Sequence, residues 1–421
     1  MNRLSIPLVL AASLLASGLV QASCQSAPTQ KCLLVQAGQG LEAIDESTSR
    51  IDGMMELAAA LAAGGDQREA FVLLLRAAVS AGAQPEISRR AELMASVSQA
   101  VSDHVTLGAG RRAATQMAEA ALLAVDGVQS EDKRVDLRGK SLVALASASD
   151  PGRALKQAQA LAEGSDNAAS YKARTLKALA SIAGRSDPDQ GKAILTSITM
   201  GLSYYQATAY ADLALAAAQR QDTRGALALL PTAVEIARAQ DEGYFVGGAL
   251  REAAMAYLAA GQNATADALF DEAVRGAKAA GSVQQQARAI SRIASDLADV
   301  QRFDQARLLL PQAVTLAREE SAEPLRMWCF YEIAGSAAAS GDLNLAQKLL
   351  QEISPEVAFS GRPLLAAAQR DVAWGMARHG KTTQAIALAQ DITSARERVQ
   401  ALSRIVRMMA DPAMTALPRY L

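Results

Sequence analysis

Leu250-Arg251-Glu252-Ala253-Ala254-Met255-Ala256-Tyr257, followed by Ala266-Asp267-Ala268-Leu269-Phe270, is the stretch on which the fold turns. Phe245, Leu250, Ala253, Ala254, Tyr257 and Leu258 recur at three- and four-residue spacing, which places them on one face of a helix. Gly261-Gln262-Asn263 interrupts that face, and Ala266, Leu269, Phe270, Ala273 and Ala277 line a second helix. The Ala253-Ala254 pair returns about every 40 residues as Leu213-Ala214, Ile293-Ala294, Ile333-Ala334 and Val372-Ala373. Twelve residues beyond each second alanine stands another: Ala226, Ala266, Ala306, Ala346 and Ala385. Four positions further come Leu230, Phe270, Leu310, Leu350 and Ala389. A fixed offset held through five units is an internal repeat, and it must be read before length or composition.

The small residues have a mechanical reason. Two helices approach closely only where no bulky side chain intervenes, because interaxial distance follows the side chains at the crossing. A leucine at Ala254 or Ala266 would overpack that crossing by about 1–3 kcal/mol. The pattern resembles the tetratricopeptide repeat, whose helix–turn–helix signature is W-x2-L-G-x2-Y, then A-x3-F. Here it reads Leu250-x2-Ala253-Ala254-x2-Tyr257, then Ala266-x3-Phe270. The family's usual glycine is alanine in all five copies. The large first residue is Tyr210, Leu250, Ile290 and Phe330 in four copies and Gln369 in the fifth. Gly261, Gly341 and Gly380 close first helices, where a helix end tolerates glycine best. The resemblance implies an all-α, right-handed superhelical solenoid whose first helices line a concave side. The period exceeds the family's 34 residues by about six, so longer helices are expected.

Residues 1–22 read as a secretory signal peptide: Arg3 at the start, an apolar run from Ile6 to Val20, and Val20-Gln21-Ala22 as the cleavage site. Export to the periplasm follows, with an uncleaved anchor or a lipoprotein at Cys24 as rival expectations. No later run is apolar enough to span a bilayer, so no integral membrane segment is expected after cleavage. Residues 23–46 form an extension in which Cys24 and Cys32 are candidates for a disulfide in an oxidising compartment. Cys329 lies in an apolar run and is expected as a buried free thiol.

The helix pairs occupy residues 47–412. Leu57-Ala58, Gly65 and Ala70 make a regular copy; Met94-Ala95, Leu145-Ala146 and Ile182-Ala183 open degraded ones. Asp150-Pro151 and Asp187-Pro188 shorten two turns and start the next helix at proline. About nine pairs result, with a single helix from Ala395 to Ala410 as an exposed arginine-rich cap and a frayed tail over 413–421. Pro231 and Pro311 fall inside second helices, where each is expected to bend its helix along the superhelix. No strand is expected in the second half.

Half of the residues are apolar and 4% aromatic, and the formal charge is −1 with both signs interleaved. Nucleic-acid binding needs a basic excess, so no nucleic-acid partner is expected. No catalytic residue, metal or cofactor is expected either. His104, placed in a loop, and His379, beside a turn, have no cysteine or carboxylate at useful spacing, and G-x-S-x-G, H-E-x-x-H and phosphate-loop motifs are lacking. Gly108-Ala109-Gly110 reads as a connector between helices.

A binding surface remains. Stepping three, four and three residues along each first helix follows the concave face that the resemblance implies. The steps bring together Arg251, Arg288, Trp328, Tyr331, Arg370 and Trp374. Tryptophan, tyrosine and arginine are over-represented at interface hot spots. These six are therefore the candidate groove for a segment of another protein or peptide, although the tryptophans would serve equally to fill gaps between repeats. The expected function is an exported interaction scaffold or adaptor. A cell-wall enzyme or its accessory subunit, and a purely structural spacer, are the alternatives.

Overall fold

The computed structural model describes residues 29–149, 151–198, 203–359, 361–412 and 414. The signal peptide, Cys24 with its expected bond to Cys32, and all of the tail but Met414 lie outside the described residues. The chain forms α1 (Gln30–Glu42), α2 (Ser47–Ala63), α3 (Gln67–Gly82), α4 (Ile87–His104), α5 (Gly108–Val125), α6 (Glu131–Ala148) and α7 (Pro151–Gln159). Next come α8 (Asp166–Gly184), α9 (Pro188–Leu195), α10 (Ser203–Gln219), α11 (Thr223–Arg238), α12 (Gly243–Ala259), α13 (Asn263–Lys278) and α14 (Val283–Asp299). The last are α15 (Phe303–Glu319), α16 (Glu323–Ala339), α17 (Leu343–Glu352), α18 (Leu364–Arg378), α19 (Thr382–Gln390) and α20 (Ala395–Ala410). Between α17 and α18 the chain makes a small antiparallel hairpin, β1 (Ala358–Phe359) with β2 (Arg362–Pro363). That hairpin corrects the expectation of no strand, yet it is a loop ornament and leaves the helical array intact.

Each pair is built by the same local chemistry. At the end of a first helix the N–H two residues beyond the cap reaches back five residues: Asp66 to Leu61, Asp222 to Ala217, Gln262 to Tyr257, Asp342 to Ala337. This is a Schellman closure, which needs one residue in the left-handed region. Gly65, Gly261, Gly341 and Gly380 supply it at φ +89°, +77°, +81° and +73°, and Gln221 and Gln301 are forced into it at +66° and +62°. Asp66, Asp222 and Asp342 then accept an N–H of the following turn and so cap the second helix. The link to the next pair is fixed differently. A side chain in the first helix donates to a carbonyl six residues earlier, as in Arg50 to Ile44, Arg134 to Val128, Arg326 to Glu320 and Arg398 to Ile392. Buried carbonyls that the loops leave unpaired are satisfied in this way. The expected proline-led starts are present in α7 and α9, while Gly108 to Gly110 form the first turn of α5 instead of a connector.

Packing then sets the architecture. First helices (α2, α4, α6 and onward by twos to α20) touch one another in sequence, and each second helix lies outside, against its own first helix and the next one. Close crossings use small residues: a Cβ at Gly247 of α12 would stand 2.8 Å from the Ala273 carbonyl of α13, and one at Gly375 of α18 2.6 Å from the Ala338 carbonyl carbon of α16. Nine pairs run from α2/α3 to α18/α19. A tenth is made from the two ends of the chain, because α20 takes α1 as its outer helix and α2 as its next inner neighbour. Val399 of α20 is fully buried there, between Gly40 of α1 and Gly53 of α2. The inner row is therefore continuous from α20 back to α2, and the stack closes on itself. Two expectations are corrected here. The segment 23–46 carries a structural helix, and α20, with Val399, Ile405 and Val406 unexposed and Arg407 5% exposed, is a buried keystone and not an exposed cap.

Candidate interaction surface

The inner row carries charge at nearly every junction between first helices. Lys140 reaches Glu92 at 3.7 Å, Arg174 pairs with Asp136, and Lys177 contacts Asp212 at 3.4 Å and Glu252 at 3.0 Å. Arg251 meets Asp296 at 3.0 Å, and Arg288 grips Glu332 with two bonds of 2.9 Å. The belt closes through Arg396 to Asp52 at 2.6 Å and Arg404 to Glu56 at 3.5 Å. Opposite signs thus cancel locally along the row, in a chain whose formal charge is −1.

The six residues expected at the groove all sit on this row, in four different settings. Arg370 is 4% exposed, and its guanidinium is spent within the protein. Nε and Nη2 donate to Asp371, Nη1 to Glu397 at 2.6 Å and Gln400 at 2.9 Å, and Nη2 also to the Tyr331 hydroxyl at 3.4 Å. Burial works against its charge, but Asp371 and Glu397 outweigh burial and hold it protonated. Burial likewise raises the Asp371 carboxyl, yet Arg370 and Arg404 bring it below its ordinary value. Tyr331 is pushed up to about 12, first by the Asp371 charge and then by burial.

Arg251 is held the same way, by Asp296 and Glu252 against burial. Trp374 is buried, Arg378 lies 5.5 Å from its ring centroid, and its indole N–H finds no acceptor among the described residues. Arg288 and Trp328 are half-buried: the guanidinium lies 3.6 Å above the indole, and Phe359 of the hairpin stacks on the ring at 4.2 Å. The hairpin thus places an aromatic ring on a side chain that the sequence leaves open.

A second aromatic group was not singled out from the sequence. Tyr204 and Phe245 have ring centroids 5.2 Å apart, Tyr244 flanks Phe245 at 5.7 Å, and Arg292 donates to the Tyr244 hydroxyl at 3.2 Å. Phe245 is exposed, and the Arg292 side chain is 46% exposed. A signal was present: before the apolar–alanine pair of the six regular units stands a charged residue, Glu56, Asp212, Glu252, Arg292, Glu332 and Asp371, whereas the degraded units have Leu93, Ala144 and Ser181 there. That charged position marks the inner face more directly than the aromatic residues do.

The Asp212 carboxyl is pushed up to about 6 by burial, with Lys177 opposing and Glu252 reinforcing the shift. His104 is the last residue of α4, not a loop residue, and burial brings it down to about 4, aided by Arg407. His379 lies 2.9 Å from the Ala339 carbonyl and edge-on to Phe303, so it ties α18 to its neighbours. Cys329 is a buried free thiol, pushed up to about 12 by burial and by Glu332. Grooves of about 430 and 410 Å³ lie between neighbouring pairs, one lined by Pro231, Arg238 and Leu269, the other by Leu122, Arg138 and Arg153.

No protein-family model and no curated protein sequence matches the chain. Solved structures do. A Podosopora anserina chain of kinesin-light-chain type with nearly identical TPR-like repeats is 22% identical at a TM-score of 0.32, covering 44% of this chain and 92% of its own. Ton1535 from Thermococcus onnurineus is 12% identical at 0.34, covering 86% and 99%. A Rap protein complexed with competence and sporulation factor is 14% identical at 0.33, covering 84% and 99%. The helix pairs and their contacts within this chain, and not these overlaps, establish the TPR-like helical-repeat architecture.

Proposed function

We infer that the protein is an exported interaction scaffold whose inner helix row holds a segment of another envelope protein. The observation that carries this reading is the half-open aromatic and charged lining of α10 to α16. There Tyr244, Phe245, Arg292 and Trp328 keep partial exposure, whereas Arg370, Trp374 and Arg251 are consumed in holding the row together. Rigid amphipathic rings beside arginine are what a peptide-binding hot spot is made of. Of the six residues expected at the groove, Trp328 is therefore assigned to binding, with Arg288 stacked on its ring and Tyr331, Arg251, Arg370 and Trp374 in support behind it. Export to the periplasm rests on the N-terminal signal pattern.

A photo-crosslinking residue placed at Tyr244, Phe245 or Trp328 in cells should give one discrete protein adduct, and the same residue at Leu308 of α15 should not. Equal adducts from both faces, or none from the inner row, would remove the binding role. Fractionation of the same cells tests export: the protein is expected in the periplasmic fraction, shortened at its N-terminus.

The rival reading, a cell-wall-acting enzyme, is favoured by one feature. Asp212 and Glu252 share Lys177, and burial raises the Asp212 carboxyl in the way a general acid requires. Release of peptidoglycan fragments by the purified protein, lost in Asp212→Asn, would establish it.

A further inference from the structure

Among the described residues eight large apolar side chains are exposed: Val72, Leu75, Val79, Ile87, Leu107, Leu123, Phe245 and Leu308. Six of them fall between residues 72 and 123, so they are concentrated on one sector of the ring. Val72, Leu75 and Val79 are three and four residues apart on α3, which aligns them in a single outward stripe. Arg68 and Arg76 lie on the same face and flank them, both exposed. The start of α5 is brought alongside, because the Thr106 N–H donates to Gln67 at 3.3 Å, and it adds exposed Leu107, Arg111 and Arg112.

Unpaired arginines beside exposed apolar side chains distinguish this sector. On three other second helices an outward arginine is tied to a carboxylate of the neighbouring helix, Arg153 to Glu119, Arg238 to Glu272 and Arg318 to Glu352, and the helices of exposed Arg224 and Arg275 carry no exposed large apolar side chain. No carboxylate lies within ion-pair distance of Arg68, Arg76, Arg111 or Arg112 among the described residues. Asp66 is occupied in capping α3, and Glu69 stands in its first turn. Four uncompensated positive charges therefore surround a projecting apolar stripe on a convex face.

We propose that the outward face of α3 with the first turn of α5 docks on an anionic lipid bilayer. Val72, Leu75 and Val79 enter the acyl boundary while the four arginines meet headgroup phosphates. An apolar stripe rimmed by cations is the pattern of a helix lying in a membrane interface. A bilayer deforms around projecting side chains, whereas a protein partner would need a complementary hollow. No helix among the described residues is long and apolar enough to cross a membrane, so the contact is peripheral. The scaffold would thereby be held at the membrane surface with its inner row free.

The full chain should co-sediment with phosphatidylglycerol–phosphatidylcholine vesicles at low salt and be released at high salt, since exposed charge attraction is screened. Phosphatidylcholine vesicles alone should bind at least about tenfold less. Leu75→Asp with Val79→Asp, and separately Arg76→Gln with Arg112→Gln, should each lower the bound fraction at least about fivefold. The arginine pair is exposed and keeps the test independent of any folding defect in the aspartate pair, which circular dichroism monitors. Absence of binding to anionic vesicles, equal binding to neutral ones, or full binding by the arginine variant would overturn the proposal. So would self-association that the aspartate variant abolishes while vesicles bind neither protein, since the face would then be an interface between copies.

Discussion

Arg396 in the last helix lies 2.6 Å from Asp52 in the second, a contact between residues 344 positions apart in the chain. The pair is one of several by which α20 is received between α1 and α2, and it makes the two chain ends one structural unit. Stability of a repeat array is a sum of pair and junction contributions. Closure adds one junction and removes both exposed ends, so disturbance at one terminus must be felt at the other.

Gly40→Leu tests this coupling. A Cβ on Gly40 would come within 2.9 Å of Val399 Cγ2, and overpacking of this kind costs about 1–3 kcal/mol. Hydrogen exchange should accelerate in α1, α2 and α20 together and stay unchanged in α12 to α14. Acceleration confined to α1 would mean that the ends are not coupled.

Removing Arg370 leaves buried Glu397 with only Arg362 at 4.0 Å and Asp371 with Arg404 alone. Breaking one side of such a pair costs about 3–5 kcal/mol. Arg370→Met should therefore lower the denaturation midpoint severely. Arg238→Met, whose side chain is 56% exposed, should cost under about 1 kcal/mol. Similar midpoints for the two variants would show that the Arg370 network is not what holds α18 to α20.

Two groups make opposite contributions to acid stability. His104 titrates at about 4 in the folded chain, below its usual 6.5, so the unfolded state takes up the proton first and stability falls as pH drops from 6.5 to 4. Asp212 titrates at about 6, above its usual 3.8, so the folded state holds the proton first and stability rises as pH drops through that window. Urea unfolding at several pH values should show His104→Gln more acid-stable than the parent relative to pH 7. Asp212→Asn should lose the compensating gain. Unaltered slopes in both variants would refute the assignments.

The turn residues supply a stabilising substitution. Gln301 occupies the left-handed position at φ +62° that glycine fills in sister units, and that conformation costs a side chain about 1–2 kcal/mol. Gln301→Gly should raise the melting temperature, and Gly261→Ala should lower it by a comparable step. The reverse order would mean that backbone entropy outweighs the turn geometry.

The sequence by itself determined the helix pairs, their 40-residue repeat, the single helix at Ala395–Ala410 and the buried thiol of Cys329. All of these depend on short-range periodicity and on residues such as Gly261 whose backbone needs are local. Only the tertiary structure decided that α1 completes α20, that the arginines of α20 face inward, and that Phe359 lies on Trp328. It likewise decided that Arg370 is spent on Asp371 and Glu397 while Phe245 and Arg292 stay open. A side chain's spacing tells which face of its helix it occupies; what stands opposite depends on curvature accumulated over ten junctions, a sum of small angles that no single repeat encodes.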